Sequence, residues 1–183
     1  MGVTGLPTLL LMLLVNVKIV MLAPAQPVCD SHILDRYIKE AREMETAMDS
    51  IQFPEDITVP ETKLNPALWK KLNKLQQAAD VWKGLNLFTK AIQRIRDFIT
   101  DATVKFSVDK SYSNIRSISQ LFKRLNIQDE TQTMQSEEST LSVRTLKKFF
   151  SVYTNFLRGK CKLLLIEICR EDICIEGSCK SYS

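Results

Sequence analysis

The stretch LSVRTLKKFFSVYTNFLRGKCKLLLIEIC, residues 141–169, decides the fold class of this chain. Its large apolar residues recur in steps of three and four, a spacing that places them along one side of an α-helix. The residues on that side are Leu146, Phe149, Phe150, Tyr153, Phe156, Leu157, Cys161, Leu164 and Ile168. The pattern predicts a long helix over Leu141–Cys169, whose apolar side must be covered by other helices.

Three further stretches have helical periodicity, at about residues 30–48, 66–99 and 108–125, and almost nothing alternates as a strand would. Pro66 stands in a first turn, where proline is tolerated, and Gly84 inside the second helix suggests a bend or a close backbone contact. The predicted inner residues are Leu34, Tyr37, Ile38, Ala41, Met44 and Met48 in the first helix; Leu68, Leu72, Leu75, Ala79, Trp82, Leu85, Phe88, Ile92, Ile95 and Ile99 in the second; and Val108, Tyr112, Ile115, Ile118, Phe122 and Leu125 in the third.

The connectors between these helices differ in length: residues 49–65 and 126–140 are long, whereas 100–107 is short. A helix of about 25 residues is roughly 38 Å long, and an extended chain covers at most about 3.3 Å per residue. The long connectors can therefore run back along a whole helix and join parallel neighbours, while the short one joins antiparallel neighbours. We predict an all-α, long-chain four-helix bundle in up-up-down-down order with two long crossover loops. A plain antiparallel bundle with two loose loops is the alternative.

Residues 1–25 have the features of an export signal, an apolar run followed by Ala23-Pro24-Ala25, the small residues that a signal peptidase accepts. Asn16 and Lys18 interrupt the run well short of the roughly 20 apolar residues that span a bilayer. We therefore expect a secreted, extracellular protein without membrane insertion.

Five cysteines in an exported chain predict disulfide bonds. Cys29 precedes the first helix and Cys169 ends the fourth, so they can bridge only if those helix ends share one pole of the bundle. Both bundle orders meet this condition, so the bridge favours four helices without choosing between the orders. Cys161 falls on the inner side of the fourth helix, and we hypothesise that Cys174 and Cys179 bridge each other.

The remaining chain is expected to form one domain over residues 26–170 with a cysteine-containing tail over 171–183. The net charge of +4 is too small and too dispersed to indicate a nucleic-acid partner. The one histidine, His32, cannot supply a metal site, and no phosphate-binding loop or catalytic triad spacing is present. The sequence therefore predicts neither an enzyme nor a cofactor-binding protein.

Five runs of residues resemble the erythropoietin/thrombopoietin family of cytokines. They are CDSHILDRY at 29–37, ITVPETKLN at 57–65, QQAADVWKGL at 76–85, VDKSYSNIRS at 108–117 and VYTNFLRGK at 152–160. The resemblance extends over about Val28–Arg170. The chain has neither an extra cysteine pair in the first long loop nor any Asn-x-Ser/Thr acceptor, which suggests a non-mammalian vertebrate member.

The resemblance implies a hormone, itself monomeric, that engages two copies of one class I cytokine receptor and triggers Janus kinase signalling for red-cell precursor survival and proliferation. By matching positions, the tighter receptor face would comprise Thr62, Lys63, Leu64, Asn65, Asn155, Arg158, Gly159 and Leu163. The weaker face would comprise Ser31, Ile33, Arg36, Tyr37, Ser113, Arg116, Ser117 and Leu121. Arg and Tyr are the residue types that often anchor binding hot spots.

Two other function classes are open to a secreted helical bundle. A lipid carrier also has long amphipathic helices, but it must open to meet lipid, so a bridge between Cys29 and Cys169 counts against it. A secreted enzyme lacks any catalytic constellation in this sequence.

Overall fold

The computed structural model describes residues 31–48, 51–124 and 139–175, without the side chains of Ser31 and 171–175. The predicted export signal, Cys29 and Cys179 therefore lie outside the described residues. Along the chain the elements are α1 Ser31–Ala47, β1 Gln52–Pro60, α2 Pro66–Trp69, α3 Lys74–Phe98, α4 Ala102–Arg124, β2 Thr140–Thr145, α5 Leu146–Phe156, a π-helical turn Leu157–Cys161, and α6 Lys162–Ile175. The last three elements form one continuous fourth helix.

The fourth helix runs antiparallel to α3. Asp80 near the start of α3 meets Lys160 at 2.7 Å, while Phe88, two turns later, contacts Phe149 and Tyr153 earlier in the fourth helix. Helices α3 and α4 are also antiparallel: Gln93 near the end of α3 bonds Tyr112 in the middle of α4 at 3.2 Å, whereas the Trp82 ring, earlier in α3, lies 5.8 Å from the Lys123 ammonium at the end of α4.

The first helix is antiparallel to the fourth as well. Asp35 in the first turns of α1 binds Lys162 at 2.5 Å, and Tyr37 approaches Tyr153 farther back in the fourth helix. Since α1 and α3 both oppose the fourth helix, they are parallel to each other. The predicted up-up-down-down order is therefore confirmed.

The two long crossover loops pair with each other through β1 and β2, which we did not predict. The strands are antiparallel, with Ile57 opposite Val143 and Val59 opposite Leu141. Ile57, Val59 and Val143 are buried against the helices. The fourth helix consequently begins at Leu146, not at Leu141, and the Thr145 hydroxyl caps it by accepting the Lys148 N–H at 3.1 Å. The predicted start was wrong because the alternation in residues 141–145 is too short to stand out from the helical pattern that follows.

The predicted second helix is two helices. The chain leaves helical geometry after α2, and Asn73 and Gln76 exchange 2.9 Å hydrogen bonds in a capping box that starts α3. The break turns Leu68 and Leu75 outward, 59% and 64% exposed, so their predicted inner positions were wrong. Leu72 is 37% exposed for the same reason.

Buried Gln77 fixes the short helix to the long one. Its amide donates to the carbonyl oxygens of Trp69 at 3.1 Å and Leu72 at 3.4 Å. Trp69 is buried, whereas the helical pattern predicted that its neighbours Leu68 and Leu72 would be.

Helix α4 begins at Ala102, earlier than the predicted residue 108, because the Asp101 carboxylate accepts the Val104 N–H at 2.8 Å and caps the helix. The link between α3 and α4 is therefore even shorter than the sequence indicated. Most predicted inner residues are buried; Ile38, Met44, Met48, Tyr112 and Ile168 are partly buried, and Leu125 lies outside the described residues.

An aromatic cluster fills the middle of the core. The ring of Phe88 lies 5.1 Å, centroid to centroid, from those of Tyr153 and Phe156. The predicted close contact at Gly84 is confirmed, because a Cβ atom there would overlap the Phe156 ring. Cys161 is buried and free, as its inner position predicts. Cys169 is disulfide-bonded, and its predicted pairing with Cys29 stays a prediction.

Candidate functional site

A shallow groove lies between the loop after β1 and the fourth helix. Its lining brings Thr62, Lys63 and Leu64 beside Asn155 and Gly159, around a volume of about 400 Å³. We call this surface the loop groove. Five of the eight residues predicted for the tighter face therefore meet, although nearly a hundred positions separate the loop from the helix.

Backbone pairing fixes the loop side of this groove. The Glu61 N–H donates to the Ser139 carbonyl at 2.9 Å, directly after the register in which Pro60 faces Thr140. The strand pairing thus ends where the groove begins. The loop is thus held at its start by this bond and at its end by Asn65, whose side chain accepts the Ala67 N–H, and fixed ends favour recognition of a partner surface.

The helix side of the groove contains the π-helical turn Leu157–Cys161. Such turns insert one extra residue into an α-helix, redirect the side chains around it, and often occur at functional sites. A Cβ atom at Gly159 would meet no atom of another part of the protein within 4 Å, so packing against other elements does not require glycine there.

Arg158 does not line the loop groove. It lines a second groove, between α1 and the fourth helix. This basic groove, about 470 Å³ in volume, has the lining Asp35, Ile38, Lys39, Arg42, Arg158 and Lys162. Its single carboxylate, Asp35, is engaged by Lys162 at 2.5 Å. The remaining charge of the groove is positive, which suits a partner with acidic side chains.

Asn65 and Leu163 occupy the margins of this region. The Asn65 side chain accepts the N–H groups of Ala67 at 3.0 Å and Leu68 at 3.4 Å, and so caps α2. Leu163 lies four residues after Gly159, about one helical turn away, and is 38% exposed.

The predicted weaker face lies on α1 and α4. Arg36, Ser113, Arg116 and Ser117 are exposed, Ile33 and Leu121 are partly buried, and the side chain of Ser31 lies outside the described parts. Tyr37 differs, since only 7% of it is exposed. Its ring lies 5.3 Å below the Arg36 guanidinium, so Tyr37 supports Arg36 from the core.

Sequence reasoning missed Glu40, which joins the two helices of this face. Its carboxylate accepts from the Asn114 amide at 2.8 Å and the Lys110 ammonium at 3.1 Å. Burial alone would raise the pKa of Glu40, but these two hydrogen bonds and the charges of Lys110 and Arg36 outweigh it and lower the pKa. The only signal in the sequence was that Lys110 and Asn114 stand four residues apart, hence on one side of a helix.

The described residues contain no group of three or more His, Cys, Asp or Glu side chains that could hold a metal ion. Within the same part of the chain, no helix is long and apolar enough to cross a membrane.

Comparison with known proteins places the chain in a family. The sequence profile described as Erythropoietin/thrombopoietin matches residues 26–172. The chain belongs to the erythropoietin/thrombopoietin family. The resemblance read from the five sequence runs is thereby confirmed, and so is the family's four-helix cytokine fold.

Individual members of the erythropoietin/thrombopoietin family match along most of their length. The chain is 41% identical to erythropoietin of Canis lupus familiaris over 162 residues, which cover 81% of this chain and 79% of that protein. Identity to erythropoietin of Mus musculus is 39%, covering 93% of this chain and 98% of the relative. Erythropoietin of the fish Epinephelus coioides is 37% identical, with 92% and 96% covered.

Proposed function

We propose that this protein is a secreted hormone that binds two copies of the erythropoietin receptor, a class I cytokine receptor. The two receptors bind different faces of one monomeric ligand. Their pairing activates the associated Janus kinases and promotes survival and proliferation of red-cell precursors. Membership in a family of cytokine hormones supports this proposal, and so do the surface grooves that the described residues form.

The loop groove is the observation that carries the proposal. Residues matched to the tighter face come from two distant segments, and the fold brings Thr62, Lys63 and Leu64 against Asn155 and Gly159. Lys63 and Asn155 are exposed in this groove, while Thr62, Leu64 and Gly159 are partly buried, so the groove offers a partner both polar and apolar groups. Arg158 and the basic groove extend the surface toward α1.

The second face shares no residue with the first. It lies on α1 and α4, with Arg36, Ser113, Arg116 and Ser117 exposed. Two separate surfaces on one rigid bundle can hold two receptors at the same time, and this is the geometric requirement for pairing them.

A titration with receptor ectodomain tests the proposal. The purified protein is mixed with increasing ectodomain, and the mass of the complex is followed by light scattering during size-exclusion chromatography. We expect a one-to-one complex first and a complex of one ligand with two receptors at excess ectodomain. Binding that stops at one receptor at high ectodomain concentration would contradict the proposal.

A further inference from the structure

Glu40 lies between the two helices that carry the proposed second receptor face. One carboxylate oxygen accepts from the Lys110 ammonium at 3.1 Å and the other from the Asn114 amide at 2.8 Å. Glu40 is on α1, and both donors are on α4. This contact joins residues 74 positions apart in the chain.

The contact is partly withdrawn from water. The side chain of Glu40 is 21% exposed, and Asn114 is 9% exposed. A carboxylate in such a place is held by its hydrogen bonds, because breaking them leaves a desolvated charge without partners. The contact therefore holds α4 against α1 at this level, in addition to the apolar core that the two helices share.

The fixed helices carry the candidate receptor residues on either side of the contact. Arg36 precedes Glu40 by one turn of α1 and is close enough to lower the pKa of Glu40. Ser113 directly precedes Asn114, and Ser117 follows it by three residues, so both lie next to the contact on α4. A shift of α4 would move Ser113, Arg116 and Ser117 away from Arg36.

We propose that Glu40 is a positioning residue for the second receptor: it clamps α4 to α1 so that Arg36 and Arg116 belong to one surface. This inference rests on the proposed function, because it assumes that the α1–α4 face binds a receptor. Glu40 itself lies below that face and does not need to touch the partner. Its effect is therefore specific to the second binding step, whereas the loop groove on the fourth helix is independent of it.

The test separates the two binding steps. One receptor ectodomain is first saturated in a one-to-one complex with each ligand variant, and a second, free ectodomain is then titrated by surface plasmon resonance. Glu40→Ala removes both hydrogen bonds, and Glu40→Gln keeps an oxygen for Asn114 but loses the charge opposite Lys110. Glu43→Ala is the matched control, since Glu43 is exposed on the same helix and pairs only loosely with Lys39 at 3.9 Å. Arg116→Glu reports on the second face itself.

We expect Glu40→Ala to weaken the second receptor step by about tenfold, from the loss of two charge-assisted hydrogen bonds. Glu40→Gln should have a smaller effect, and Glu43→Ala none. The affinity for the first receptor should stay within about twofold of the parent for all of these variants, because the substituted side chains do not line the loop groove or the basic groove.

Three results would overturn the proposal. A second step unchanged in Glu40→Ala, while Arg116→Glu abolishes it, leaves the second face intact and removes the role of Glu40. Equal weakening of both steps by Glu40→Ala identifies a general effect on the fold. A second step that survives Arg116→Glu as well overturns the face on which the clamp was argued, and with it this part of the proposed function.

Discussion

Gly84 and Gly159 are helical glycines with opposite surroundings. A side chain at Gly84 would collide with the ring of Phe156, whereas one at Gly159 would enter open space. Gly84 lets α3 and the fourth helix approach each other in the core. Gly159 has no such task inside the protein, and its place in the loop groove points to a partner outside it.

Alanine at these two positions should separate packing from binding. We expect Gly84→Ala to lower the free energy of unfolding by about 1–3 kcal/mol, through overpacking against Phe156. Gly159→Ala should leave it unchanged or raise it by up to about 1 kcal/mol, because alanine favours helix. Urea unfolding followed by circular dichroism measures both. The prediction fails if Gly84→Ala is as stable as the parent.

The thiol of Cys161 is expected to be inert in the folded protein. Burial raises its pKa well above the usual range, with Asp80 acting in the same direction and Lys160 against it. Since the thiolate is the reactive form, alkylation should be slow until the protein unfolds. Peptide mass mapping after iodoacetamide treatment, with and without guanidinium chloride, checks this. Rapid labelling of Cys161 in the native protein would contradict its burial.

At the scale of elements, caps decide where the helices start. Asn73 begins α3 through its capping box with Gln76, Thr145 begins the fourth helix, and Asp101 begins α4. Each cap supplies an acceptor for an N–H group that has no partner within the helix.

Asn73→Ala should cost about 1 kcal/mol of stability, since it removes the acceptor for the Gln76 N–H. Asn86→Ala is the matched control, because Asn86 is exposed in the middle of the same helix and caps nothing. Denaturant unfolding of both variants gives the comparison. If both lose the same stability, the capping box is not what stabilises the start of α3.

The contact between α1 and α4 should make stability depend on pH. The folded pKa of Glu40 is lowered below its ordinary value of 4.5, so the contact stabilises the fold above that value and its contribution is lost as pH falls through the folded pKa. We expect the stability difference between the parent and Glu40→Gln to be constant near about pH 7 and to shrink toward about pH 3. Unfolding free energies measured across this range test the sign. A difference that grows in acid would contradict it.

At the scale of the whole molecule, charge reversal in each of the two proposed receptor faces should have a different effect. Arg116→Glu should leave the fold and the first receptor contact intact but abolish signalling, because a single bound receptor has no partner. Arg158→Glu should instead weaken the first binding event, since it reverses a charge in the basic groove.

Two assays distinguish these outcomes: receptor affinity by plasmon resonance, and proliferation of cells that bear the receptor. Circular dichroism confirms that both variants fold. Normal proliferation with Arg116→Glu would refute the assignment of the second face.

Much of this molecule could be predicted from local pattern. In the fourth helix, every predicted inner residue from Leu146 to Leu164 is buried. Apolar residues at helical spacing indicate the buried side of a helix directly. The lengths of the connectors favoured the up-up-down-down order of the helices over a plain antiparallel bundle. The break at residues 70–73 was missed because Leu68, Leu72 and Leu75 continue the helical spacing across it, and the capping pair was the weaker signal.

The sequence by itself determined four helical segments and the family, because helix periodicity and short motifs are local properties of the chain, and the connector lengths favoured the order that the structure confirms. Only the tertiary structure decided that the two crossover loops form a sheet, that Tyr37 lies beneath Arg36, and that Glu40 meets Asn114. Each of these depends on a hydrogen bond or a packing contact between distant segments. Many partners for such contacts are chemically equivalent in the sequence, and only the folded backbone brings one of them within reach.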